Sequence, residues 1–232
     1  MNETNLTTST LKFKFGAREV SGYLARPAEG GLIPGIIVIQ EWWGLNDHIK
    51  DITERAAREG VVALAVDLYD GRVTKSPAEA QGMLMGLDKQ ETVDKLSAAV
   101  SALNAHPMVA THQIGVIGFC MGGFYALMLA SKNKDIRAAA PFYGHVPPDA
   151  VLEGLRAPTL YVYPGKDQHI AAEEVDRLES HLKKTGNPGA VLRYPDADHA
   201  FVNDTRKEVY KADDAKDAWA HAFAFLKRHT AG

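Results

Sequence analysis

The sequence predicts an α/β domain in which a mostly parallel central sheet carries helices on both faces, a three-layer αβα sandwich. Three observations predict it. Continuous apolar runs at residues 34–40, 61–68 and 114–119 read as strands buried on both faces, as parallel sheets require. Stretches with helical spacing of apolar residues alternate with those runs, the pattern of strand–helix–strand units. The chain has 232 residues, 46% hydrophobic and 24% charged, which suits one larger α/β domain with a full core.

Taken in order, residues 1–10 are polar and read as an N-terminal tail, followed by a single domain over 11–232. Residues 11–15 and 20–27 read as an antiparallel hairpin around Gly16. After the 34–40 strand, residues 47–59 place Ile49, Ile52 and Ala56 on one helical face, and Gly60 ends the helix. The 61–68 strand precedes Ser76-Pro77-Ala78-Glu79, a helix start with a serine cap, proline at the first position and glutamate at the third. That helical region runs toward Ala105. Residues 114–119 form a strand, 121–131 a helix, 136–143 a strand and 159–163 another. A helix over 171–184 turns Val175, Leu178 and Leu182 inward, 190–194 is a short strand, and 213–229 is a last helix with Trp219, Ala222, Phe223 and Leu226 inward.

Composition excludes several classes. A formal net charge of -3 and the lack of a Lys/Arg stripe argue against a nucleic-acid partner. No apolar run approaches the roughly 20 residues needed to span a bilayer, and the N-terminus lacks a secretory pattern. A single cysteine permits no intramolecular disulfide, which fits a reducing compartment. A cytoplasmic enzyme is expected, monomeric or weakly dimeric, acting on a small molecule without a cofactor.

Chemistry gathers in the loops at the carboxyl ends of parallel strands. Here these hold Glu41-Trp42-Trp43-Gly44, then Cys120 within Gly118-Phe119-Cys120-Met121-Gly122-Gly123, then Gly165-Lys166-Asp167, then Asp198-His199-Ala200-Phe201. The glycine-flanked cysteine between strand and helix has the form of a nucleophile elbow, with sulfur for oxygen. Nucleophile, acid and histidine follow in the chain order of α/β-hydrolase triads. A thiol of ordinary pKa near 8.5 is mostly protonated at neutral pH, so a base is needed. His199 can take that proton, and Asp167 can hold its tautomer. The amides of Trp42 and Met121 suit an oxyanion hole.

The bland readings differ in weight. A lone cysteine beside a buried strand is usually apolar filler, but elbow, order and loop positions together favour catalysis. Asp196 and Asp198 compete with Asp167 for the acid, yet lie too near His199 in sequence to approach its far nitrogen. Trp42 and Trp43 suit a pocket wall as well as packing. Glu41 beside a catalytic thiol opposes thiolate formation by like charge; it reads either as a loop acid or as a switch that moves when substrate binds. Asp196, Asp198 and His199 lack the further ligands a metal site needs. The glycines match no nucleotide-binding pattern.

On Gln40-Glu41-Trp42-Trp43-Gly44-Leu45, Asp67-Leu68-Tyr69, Gly118-Phe119-Cys120-Met121-Gly122-Gly123, Gly165-Lys166-Asp167 and His199-Ala200-Phe201, the chain resembles the dienelactone hydrolase (carboxymethylenebutenolidase) family. The resemblance spans nearly the whole sequence from Leu11 onward. It implies an α/β-hydrolase fold, a Cys120–His199–Asp167 triad, Glu41 near the thiol, and the Trp42 and Met121 amides at the oxyanion. It also implies a role in aromatic-compound degradation, opening a carboxylate-bearing enol-lactone through a thioester, with maleylacetate the product from dienelactone. Arg72, Trp43, Tyr69, Phe201 and Arg206 are the expected substrate contacts. Family members bind the carboxylate with two arginines; Arg72 matches one approximately, and Asn203 stands where the second is expected, with Arg206 three residues on. The competing readings are a broader carboxylesterase or thioesterase on activated esters, a non-catalytic ligand-binding protein of the same fold, and a redox-sensing thiol, which lacks a resolving cysteine.

Overall fold

In a computed structural model, which describes residues 5–231, eight strands form one sheet. In chain order the elements are β1 (Leu6–Phe15), β2 (Arg18–Pro27), β3 (Ile33–Ile39), α1 (Asp47–Arg58), β4 (Val62–Val66), α2 (Pro77–Met85), α3 (Lys89–Asn104) and β5 (Val109–Phe119). They continue as α4 (Met121–Lys132), β6 (Ile136–Phe142), α5 (Asp149–Leu152), β7 (Leu160–Pro164), α6 (Ala172–Thr185), β8 (Ala190–Tyr194) and α7 (Ala212–Thr230). The strand order is β1-β2-β4-β3-β5-β6-β7-β8. The β1–β2 and β2–β4 pairings are antiparallel; every pairing from β4 to β8 is parallel.

Alternation along the central strands builds two cores. Ile37 and Ile39 of β3 pack with α3 and α4 on one face, while Ile36 and Val38 pack with α1 and α7 on the other. Both pairs are almost completely buried, at roughly 1.5–3 kcal/mol of transfer free energy per side chain. Asn46, Ser76 and Asp88 cap α1, α2 and α3 by accepting from Ile49, Glu79 and Glu91 amides.

Two expectations need correction, and one element is added. The first strand begins at Leu6, so residues 6–10 belong to the sheet, and only residues 1–4 of the expected tail lie outside the described residues. Thr7, Thr8 and Thr10 are β-branched and pair with β2 as an edge strand, which tolerates a polar sequence. The helical region after Ser76 is two helices, because the 86–88 segment lets Asp88 cap a fresh helix. The short α5 is new. No described helix is long and apolar enough to cross a membrane.

Candidate active site

The carboxyl ends of β3, β4, β5, β6, β7 and β8 share one edge of the sheet, since these strands run parallel. Cys120 follows β5 directly and sits at φ 55°, ψ −116°, an unfavourable conformation for a non-glycine residue. Its N–H donates to the Phe142 carbonyl at 3.0 Å, and its own carbonyl accepts from Gly123 and Phe124. The glycines make this bend possible. A Cβ on Gly118 would lie 2.1 Å from the Gly122 carbonyl oxygen, and one on Gly122 would lie 2.3 Å from that of Ile39. Cys120 is half-buried.

The loop after β7 carries Asp167, whose side chain is fully buried. Its Oδ1 accepts from the His169 and Ile170 amides at 2.8 and 3.1 Å, leaving Oδ2 to meet His199 Nδ1 at 2.8 Å. Burial alone would favour the neutral acid, yet the His199 contact and the amide donors hold Asp167 below its usual pKa. For His199, burial opposes the imidazolium, but Asp167 and Cys120 outweigh it and raise its pKa to about 10. A proton on this ring is therefore held strongly. Asp196, the rival acid, pairs with Lys166 at 3.0 Å instead.

Met121 is the first residue of α4, so its N–H has no acceptor within the helix. Trp42 lies in the turn after β3. Among the described residues neither amide donates to a protein group, leaving both available to a developing oxyanion.

Glu41 is 3% exposed. Asn203 Nδ2 donates to its Oε2 at 3.1 Å, while Oε1 has no partner. Burial pushes the Glu41 pKa up, against the pull of His199, Asn203, Arg206 and Tyr143. Tyr143 follows β6 at φ 39°, fully buried, with its ring 5.0 Å from that of His199; its hydroxyl lies close enough to Glu41 to act on it, without meeting hydrogen-bond geometry. Burial, then Glu41 and Cys120, hold the Tyr143 phenol far in its neutral form.

The expected substrate contacts divide. Tyr69 is buried, donates to Met121 Sδ at 3.2 Å, and lies within electrostatic reach of Cys120. Trp43 is half-buried and edge-on to Trp42, with ring centroids 4.9 Å apart. Its loop packs on that of Arg72: the Trp43 carbonyl accepts from Thr74, and a Cβ on Gly44 would lie 2.3 Å from the Arg72 carbonyl. Arg72 is exposed, and among the described residues its guanidinium has no partner. Arg206 acts on Glu41 through its charge and donates to Glu208 Oε1 at 2.9 Å. Phe201 is a correction: it is fully buried against Tyr143 and Tyr194, a core residue beneath the histidine loop with no surface for substrate. Sequence reasoning missed Tyr143 and Asn203. The signal for Tyr143 was its place after a parallel strand; that for Asn203 was the unexpected amide in an arginine's place.

The dienelactone hydrolase family profile matches residues 20–230. The chain belongs to the dienelactone hydrolase family. "Protein usf" from Aquifex pyrophilus is 35% identical over 228 residues, covering 94% of this chain and 97% of that one. A Synechocystis protein named "Putative carboxymethylenebutenolidase" is 34% identical over 220 residues, 87% of this chain and 88% of that one. A solved structure, "m3DLH", superposes with a TM-score of 0.89 at 25% identity, covering 97% of this chain and 98% of that one. The fold is that of the α/β-hydrolases, and the chain is a carboxylic ester hydrolase acting on small-molecule esters.

Proposed function

We propose that the enzyme opens an enol-lactone of the dienelactone type through a thioester on Cys120. The observation that carries this reading is the Asp167–His199 contact at 2.8 Å, with His199 raised to about 10 beside a half-buried thiol on a strained bend. His199 takes the thiol proton, and sulfur attacks the carbonyl carbon. The oxyanion accepts from the Trp42 and Met121 amides. The C–O bond then breaks, the enolate leaves, and His199 returns a proton to it. Water, deprotonated by His199, attacks the thioester; sulfur departs and regains the proton. A tetrahedral adduct holding both sulfur and a simple alkoxide expels sulfur and reverts. An enolate leaves competitively, so the chemistry suits enol-lactones and activated esters.

Arg206 and Arg72 support a carboxylate-bearing substrate. A second reading, a broader esterase on activated esters, is favoured by Asn203 occupying the place of an arginine and by Arg206 being engaged with Glu208. Steady-state hydrolysis of lactones with and without a carboxylate, beside activated and simple alkyl esters, separates the readings. Enol-lactones with a carboxylate are expected to give the highest kcat/KM. Equal rates on neutral activated esters favour the broader reading, and a preference for simple alkyl esters overturns both.

A further inference from the structure

Lys95 lies on α3 with its side chain only 7% exposed, and lysine is almost never this buried unless it is paired. Its ammonium reaches the Leu68 carbonyl at 3.5 Å and Asp70 Oδ1 at 3.6 Å, contacts that act through charge more than as directed hydrogen bonds. Those two residues bracket Tyr69 in the turn after β4. The turn itself is tightly made. Asp67 Oδ1 accepts from the Tyr69 N–H at 3.0 Å, its Oδ2 accepts from the Gly71 N–H at 2.5 Å, and the Arg72 N–H donates to the Tyr69 carbonyl at 3.2 Å. Asp70 and Gly71 follow each other at φ 53° and 87°, a left-handed pair that aspartate and glycine tolerate. Beside the turn is a cavity of about 430 Å³ whose lining includes Arg18, Ser21, Asp67, Asp70 and Lys95. On this side the turn borders a cavity rather than a packed core.

We propose that Lys95 is a positioning residue that holds the turn over residues 67–72, and with it Tyr69 and Arg72, in place at the active site. This rests on the reading of Tyr69 and Arg72 as substrate contacts. The carboxylates of Asp67 and Asp70 and the Leu68 carbonyl concentrate negative charge around the cavity. Lys95 offsets that charge from α3, while Arg18, held chiefly by Glu91, faces Asp70 from the hairpin. The turn meets the site at two points. The Tyr69 hydroxyl donates to Met121 Sδ at 3.2 Å, one residue past Cys120. Beyond Arg72, the Thr74 N–H donates to the Trp43 carbonyl at 3.0 Å. Without the ammonium the like charges repel and the Leu68 carbonyl loses its partner, so the turn spends part of its time displaced toward the cavity. Cys120, Asp167 and His199 stand at the ends of other strands, so substrate binding loses more than the chemical step.

The test pairs native-state trypsin cleavage after Arg72 with steady-state kinetics on carboxylate-bearing lactones and neutral activated esters, in the full chain. Lys95→Met keeps the length of the side chain and removes its charge. Cleavage after Arg72 is expected to speed up at least about tenfold, because it follows the population of the open turn. KM for the carboxylate-bearing lactones is expected to rise about fivefold with kcat within about twofold, because only the closed turn binds them. Lys95→Gln, neutral but polar, does the same and serves if the methionine variant does not fold. Lys95→Arg keeps the charge, the adjoining cavity takes its larger head group, and most of both effects is restored. Unchanged cleavage in a folded neutral variant, an arginine variant no better than methionine, or a loss confined to kcat overturns the proposal. Faster cleavage with KM unmoved on every substrate overturns the substrate reading of Tyr69 and Arg72 instead, so the two failures are distinct.

Discussion

Two buried carboxylates flank the Cys120–His199 pair, and their surroundings are opposite. Asp167 has both oxygens engaged, by two backbone amides and by His199, and its pKa is lowered. Glu41 has one oxygen held by Asn203 and the other without a partner, and burial raises its pKa. The same functional group thus does two jobs because the fold satisfies one and leaves the other short of donors. Asp167 is a permanent anion that holds an imidazolium. Burial disfavours the Glu41 anion, so the fold leans this carboxyl toward its neutral form.

Substituting each in turn sharpens the contrast. Asp167→Asn is expected to cost about 10³-fold in kcat/KM, because an amide NH2 facing Nδ1 imposes the wrong tautomer. Without the anion, the alkaline limb of kcat/KM, set in the native enzyme by a His199 value of about 10, moves toward neutrality. A pH–rate profile with an unmoved limb breaks the assignment of Asp167. Stability follows the same linkage. A His199 pKa raised above its unfolded 6.5 contributes stability fully below pH 6.5, and this is lost as pH rises through about 10. Asp167, being lowered, contributes above 3.8 and loses that contribution as acid titrates it.

Gly122→Ala tests the bend that both carboxylates address. With a Cβ 2.3 Å from a backbone oxygen, no rotamer relieves the clash, and a loss of about 3 kcal/mol is expected in denaturant unfolding. A loss below about 0.5 kcal/mol shows that the elbow has slack. Glu41→Gln goes the other way. Its raised pKa means the fold prefers the neutral form, so Glu41 contributes most below pH 4.5 and progressively less as pH rises through its folded value. A permanently neutral amide is expected to stabilise the protein by about 1 kcal/mol at pH 8, read as a higher Tm, with no gain at pH 4. A gain independent of pH contradicts the titrating role. Arg206→Ala, the smallest effect, raises KM roughly fivefold for carboxylate-bearing lactones and leaves neutral esters unchanged; a uniform change removes Arg206 from recognition.

Much of this was legible before any coordinates. Apolar runs marked the parallel strands, and chain order put Cys120, Asp167 and His199 on strand-end loops. Local pattern failed where partners decide. The Thr-rich start of β1 is a strand only because β2 offers its edge. Phe201 beside His199 invited a substrate role, but it is fully buried against Tyr143 and Tyr194, along with Ala200 and Val202 on either side. Tyr143 is held at positive φ, and Asn203 meets Glu41 across the sheet edge. Neither property leaves a local mark in the sequence.

The most direct test of the central claim is rapid-quench mass spectrometry of the enzyme with an activated ester under single-turnover conditions. The account predicts a transient acyl mass on the peptide containing Cys120, rising before free acid appears and decaying at the rate of turnover. Free acid forming with no adduct at Cys120, or an adduct on another residue, would contradict it.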